Sequence, residues 1–158
     1  MRRTTVLLAA LGFLATGCSE ETDARRKPTF PVKGKVLVNG QPAEEARVML
    51  VPPGGRDSDQ FTPNPYGRVK EDGTFELNTY TAGDGAPAGV YKATIEWRKS
   101  DPKGSRTRGP DLLAKKYSNP ATSRFEVHVS EGVNELPPFE LTVNPAVLEK
   151  LLKVDAAD

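Results

Sequence analysis

The run Tyr91-Lys92-Ala93-Thr94-Ile95-Glu96-Trp97 alternates apolar and polar side chains without a break, and this period of two is the tightest constraint in the chain. A strand sends successive side chains to opposite faces, so Tyr91, Ala93, Ile95 and Trp97 share one face while Lys92, Thr94 and Glu96 share the other. The same pattern recurs. In "VKGKVLV" the residues Val32, Gly34, Val36 and Val38 lie on one face, and "RVMLV" follows after Asn39-Gly40, a pair that tolerates positive φ and marks a tight turn. "YGRVKEDGTFELNT" reads as a hairpin about Asp72-Gly73 with Phe75 and Leu77 on one face. "RFEVHVS" turns Phe125, Val127 and Val129 inward, and "PFELTV" does so with Phe139, Leu141 and Val143. About seven strands separated by turn signals predict an all-β fold, a single Greek-key β-sandwich over residues 31–143. With 14 Gly and 14 Pro in 158 residues, the chain suits one loop-rich domain better than a helical bundle.

The ends read differently. "MRRTTVLLAALGFLATGC" has a basic start at Arg2 and Arg3, an apolar run from Val6 to Leu14 and small residues before a cysteine, the layout of a secretory signal over residues 1–17. The apolar run is too short to span a bilayer as a helix. Its end, "LATGC", resembles the lipobox of bacterial lipoproteins: Gly17 and Cys18 match, and Ala15 stands where leucine is most common. That resemblance implies cleavage before Cys18 and lipidation of its thiol. Cys18 is the chain's single cysteine, so it has no partner for an internal disulfide. Each acyl CH₂ that enters a membrane contributes about 0.8 kcal/mol, enough over several chains to anchor the protein on the extracytoplasmic side. Residues 18–30, "CSEETDARRKPTF", are polar and aperiodic and read as a flexible tether. Residues 144–158 begin with "NPAVLEKLLKV", where Asn144-Pro145 suits a helix start and Val147, Leu148, Leu151 and Leu152 form a stripe. So short a helix needs a surface to pack on, either its own domain or a partner or membrane.

Charge excludes one class. The whole chain holds 22 Lys+Arg against 21 Asp+Glu, and loss of the signal leaves a small negative net charge, unlike the basic excess of a nucleic-acid binder.

The stretches "VKGKVLVNGQPAEEARVMLVP", "VKEDGTFEL" and "GAPAGVYKATI" together resemble the transthyretin-like, carboxypeptidase-regulatory-like sandwich module. With "LLAKKYSNPATSRFEVHV" added, the chain looks like small lipoproteins of this kind from planctomycete bacteria, the likeness covering Pro31 to Val143. The resemblance implies a transthyretin-like (Ig-like) sandwich that accompanies other activities without catalysing a reaction, and it transfers no catalytic residues.

The chemistry-bearing residues are few. His128 is the one histidine, and alternation turns it outward, with no "GxSxG" or comparable context for a nucleophile. One histidine and one cysteine exclude an ordinary Cys/His zinc site. Asp57, Asp59, Asp72 and Asp84 lie in turns, without a complete calcium loop. No cofactor or metal is implied, and no enzyme activity is expected. The segment "WRKSDPKGSRTRGP" is a basic loop: Arg98, Lys99, Lys103, Arg106 and Arg108 face only Asp101. It is a candidate to engage an envelope protein, an anionic glycan or phospholipid heads, against the plainer reading of a solvated surface loop. Tyr66, Tyr80 and Tyr117 sit in loop-like contexts, where they serve either sugar stacking or packing. The glycine-rich "AGDGAPAG" precedes a strand rather than a helix, which excludes a phosphate-cradling loop. Ala86-Pro87-Ala88-Gly89 fits a type I turn, with Asp84 bonding nearby backbone. The expectation is a non-catalytic, lipid-anchored envelope module, structural, adhesive or accessory. Its alternative is a carbohydrate or small-ligand binder serving an extracytoplasmic transport or degradation system.

Overall fold

In the computed structural model, residues 25–55, 61–98 and 109–154 are described. The expectations placed on the signal, Cys18, Asp57, Asp59, Lys99, Lys103, Arg106 and Arg108 lie outside the described residues.

Two sheets face each other across one apolar core, as expected of an all-β sandwich. The first is built on β2 (Val32–Val38). Along one side of it, β3 (Gln41–Pro42) and β6 (Thr74–Glu76) pair antiparallel. Along the other, β10 (Asn134–Glu135) and β11 (Phe139–Leu141) pair parallel. The second sheet runs β5 (Tyr66–Arg68), β4 (Arg47–Val51), β8 (Gly89–Glu96), β9 (Glu126–Val129), all antiparallel. β1 (Thr29–Phe30) pairs separately with β7 (Ala86–Pro87).

Alternation decides which side chains meet. Val32, Val36, Val38, Phe75, Phe139 and Leu141 of the first sheet pack against Val48, Leu50, Tyr91, Ala93, Ile95, Val127 and Val129 of the second. Each large apolar side chain buried this way contributes about 1.5–3 kcal/mol. Gly34 occupies an inward position because a Cβ there would stand 2.6 Å from Phe75 Cζ. Its missing side chain makes room for the Phe75 ring, which stacks on Phe139 at 6.0 Å between centroids.

The turns that set this register are chemically explicit. Asn39 and Gly40 take positive φ, 50° and 81°, as read from sequence. The Asn39 side chain also reaches the far end of the chain: Nδ2 donates to the Val143 carbonyl at 3.0 Å, and Oδ1 accepts from the Val143 N–H at 3.1 Å. The hairpin around Gly73 is real, but its arms separate. They bond at Tyr66–Asn78 and at Lys70–Thr74, while β5 joins the second sheet and β6 the first. The hairpin therefore wraps the edge of the sandwich, so closely that a Cβ on Gly67 would collide with the Glu76 carbonyl.

Two local expectations are corrected, and the helix is refined. Ala86-Pro87 is not the start of a turn but strand β7, because β1 offers it a partner. Residues 25–30, read as the end of a tether, are held on the domain. The Lys27 N–H donates to Tyr80 Oη at 3.1 Å, the Arg25 and Arg26 guanidinium groups lie over the Phe61 and Tyr80 rings at 4.8 and 5.1 Å, and β1 follows. The helix α1 (Pro145–Val154) is capped by Asn144, whose Oδ1 accepts from the Ala146 N–H at 2.9 Å, but its stripe is not buried as a unit. Leu148 packs on the core; Val147 and Leu152 stay exposed.

Candidate functional site

The chain enters at one end of the sandwich, beside Pro31, Tyr80 and Gly85, and β2 carries it to the other. Seven residues at about 3.3 Å each separate the two ends by roughly 20 Å. The opposite end gathers Asn39, Glu45, the start of β4, the end of β8 and Gly109–Asp111.

At the entry end, the glycine-rich loop is organised around its own carboxylate. Asp84 Oδ1 accepts the Thr79 N–H at 2.7 Å, and Oδ2 accepts those of Tyr80 and Thr81 at 2.9 Å each. Three successive backbone donors thus converge on one anion, an arrangement that elsewhere binds external phosphate. Here the site is filled internally. Gly85 completes the loop, with φ +84° and no space for a Cβ against the Phe30 carbonyl.

At the opposite end, the basic loop leaves from a closed neck. The Trp97 N–H donates to Asp111 Oδ1 at 2.9 Å, the Leu112 N–H to the Trp97 carbonyl at 2.7 Å, and Trp97 Nε1 to the Glu44 carbonyl at 2.8 Å. The second Asp111 oxygen accepts the Lys115 N–H at 2.9 Å, which holds a turn where Ala114 and Lys115 both take positive φ. Arg98 is the one predicted loop cation among the described residues. Its Nη1 donates to the Gly109 carbonyl at 3.2 Å and its Nε to Glu96 at 3.3 Å. Arg98 therefore braces the neck. Asp111 was missed in the sequence because "GPDLLAKK" carries no periodic or motif signal; only the fold brings it to Trp97.

The outer face of the second sheet carries the remaining chemistry. Its residues alternate with the core: Tyr66 and Arg68 on β5, Arg47, Met49 and Val51 on β4, Lys92, Thr94 and Glu96 on β8, Glu126 and His128 on β9. His128 is exposed, as expected, with Nε2 3.0 Å from Glu126 Oε1, while Lys92 Nζ meets Oε2 at 3.1 Å. The hydrogen bond from His128, then that from Lys92, holds the Glu126 carboxyl below its usual range. Arg47 stands directly opposite Arg68, and its guanidinium lies 4.7 Å from the centroid of the Tyr66 ring. Arg47 Nε is buried and has no hydrogen-bond partner. Of the three tyrosines, Tyr117 is buried with its Oη donating to the Thr142 carbonyl, Tyr80 holds Lys27 and Thr62, and Tyr66 alone is an exposed ring. An open depression of about 370 Å³ lies on the same face toward the entry end, lined by Val51, Pro52, Val90, Lys92, Pro120 and Glu126.

Among the described residues no group of three or more His, Cys, Asp or Glu is arranged to hold a metal ion, and no helix is long and apolar enough to cross a membrane. The buried carboxylate Asp111 and the half-buried Asp84 are both committed to backbone N–H groups. What fold and surface define is an all-β sandwich whose distinctive side chains lie on an open sheet face.

No protein-family model matches the chain, and no curated protein does either. Among solved structures the chain is similar to a DUF3823 family protein from Parabacteroides merdae, at 19% identity and a TM-score of 0.40, over 76% of this chain and 48% of that one. It is also similar to a 9R-lipoxygenase from Cyanothece, at 15% identity and a TM-score of 0.36, over 73% of this chain and 16% of that one. The chain thus spans about half the length of the first and a small part of the second.

Proposed function

We propose that the protein is a lipid-anchored module of the cell envelope, a non-catalytic sandwich of the transthyretin-like, carboxypeptidase-regulatory-like kind that acts as a structural, adhesive or accessory binding unit. The observation that carries this reading is the sole cysteine, Cys18, at the end of the lipobox-like "LATGC". Support comes from the path of the chain behind it: Arg25 and Arg26 stack on Phe61 and Tyr80. From Cys18 to Arg25 an extended chain reaches at most roughly 25 Å, so an anchor at Cys18 would hold the entry end of the sandwich within that distance of the membrane. The test is incorporation of radiolabelled palmitate. Label is expected in the wild type and absent from Cys18→Ala, which should leave the membrane fraction; equal fractionation of the two forms rejects the anchor.

A second reading, a carbohydrate or small-ligand binder serving an extracytoplasmic system, is favoured by the exposed Tyr66 ring beside Arg47. Aromatic faces stack on sugar C–H groups, and guanidinium groups recognise carboxylates.

A further inference from the structure

The second sheet carries two arginines side by side at the end away from the chain entry. Arg47 and Arg68 are direct cross-strand partners, an arrangement of like charges that costs stability unless an anion sits between or beside them. The nearby carboxylates resolve it only on the Arg68 side. Glu45 binds Arg68 at 2.6 Å, and Glu96, directly opposite Arg47 on β8, turns to Arg98 at 3.3 Å. Among the described residues no carboxylate lies within ion-pairing distance of Arg47. Its cation is held instead by the Tyr66 ring, with Nε left without an acceptor.

We infer that Arg47, Arg68 and Tyr66 form a binding site for a carboxylate-bearing glycan. The anion would lie beside the Arg47 guanidinium, which has no carboxylate partner among the described residues, with Arg68 on the neighbouring strand, and would be held by charge-assisted hydrogen bonds. Tyr66 stays exposed at 41%, which leaves ring surface beside the arginines for the apolar face of a sugar. An open, flat sheet surface with one aromatic ring suits an extended polymer better than an enclosed small molecule. Geometry favours a glycan over phospholipid heads: the exposed Tyr66 ring lies on the sheet face beside the arginines, where it can stack on a sugar ring, and the site lies toward the end roughly 20 Å from the chain entry. This inference rests on the ligand-binding reading above and not on the lipid at Cys18, whose labelling by palmitate is a separate measurement.

The experiment is calorimetric titration of the full chain in detergent with oligogalacturonate. Binding is expected to weaken as salt rises and to vanish for the fully methyl-esterified oligomer. Arg47→Gln is expected to weaken it roughly ten- to a hundredfold, the loss of one charge-assisted contact, and Arg47→Lys less. Tyr66→Ala, which spares both cations, should weaken it too, and serves alone if Arg47→Gln lowers the melting temperature. Equal binding of the methyl ester, or unchanged binding by both Arg47→Gln and Tyr66→Ala, overturns the site. Arg47-dependent binding to an acidic peptide or to phosphatidylglycerol vesicles, with none to oligogalacturonate, overturns the ligand class.

Discussion

Replacing Asp84 by alanine removes the one acceptor shared by the backbone N–H groups of Thr79, Tyr80 and Thr81. The three amides do not suffer equally. Thr79 is buried, so its N–H loses a charged acceptor with no water to replace it, at a cost of about 2 kcal/mol. Tyr80 is half-buried and Thr81 exposed, so water takes over much of their bonding and each loses about 0.5 kcal/mol. The total is about 3 kcal/mol, or roughly 9 °C in melting temperature at about 3 °C per kcal/mol for a chain of this size. Asp84→Asn retains one oxygen, enough for Thr79 or for the Tyr80–Thr81 pair but not both, and should fall about midway between the other two. Urea unfolding followed by tryptophan fluorescence measures both variants, and hydrogen exchange at the three amides locates the effect. If Asp84→Ala stays within about 1 kcal/mol of wild type at an unchanged urea dependence, the carboxylate does not organise this loop.

The neighbouring Gly85→Ala variant meets both a positive φ and the Phe30 carbonyl, so β1 should leave β7. Trypsin is then expected to cut at Arg25 and Arg26 much faster than in the wild type, and an unchanged cleavage rate would show that β1 tolerates the methyl group. Asp72 has its carboxyl held below its ordinary value of 3.8, first by the Thr74 hydroxyl and then by the Thr74 N–H. A carboxyl with a folded-state pKa below its unfolded one favours the native state above the unfolded value and loses that contribution as pH falls through the folded one. Melting temperatures between neutral and strongly acid pH should therefore fall less steeply for Asp72→Ala below about pH 4, and parallel curves would remove Asp72 from the acid transition.

Alternation made the sandwich legible. "YKATIE", "RVMLV" and "EVHV" become adjacent strands of one sheet, because a period of two has only one way to hide Val48, Ala93, Ile95 and Val127. Local pattern does not say which sheet each strand joins. The hairpin around Gly73 reads as one unit, yet β5 and β6 go to opposite layers, a choice made by the packing of Phe75 under Gly34 and by the close approach of Gly67 to Glu76. The turn expected at Ala86-Pro87 failed for a similar reason: a dipeptide suited to a turn is equally suited to an edge strand when a partner arrives from 57 residues earlier, as Thr29–Phe30 does. The candidate site was legible only in part. The basic loop and Tyr66 stand out in the sequence, whereas Arg47 gains its meaning from sitting across from Arg68, a contact between β4 and β5 that no run of residues announces.

The parallel seat of β10 and β11 beside β2 has a consequence for the order in which the molecule is assembled. Asn39 closes on Val143 across 104 positions, and Pro31 on Asn134 across 103. During synthesis at roughly 5–20 residues per second, β2 waits several seconds with one side open before the segment that covers it exists. Closure then carries the loop entropy of almost the whole domain, which places folding among the slow, non-local topologies. The first long strand to be made is thus among the last to be fully paired.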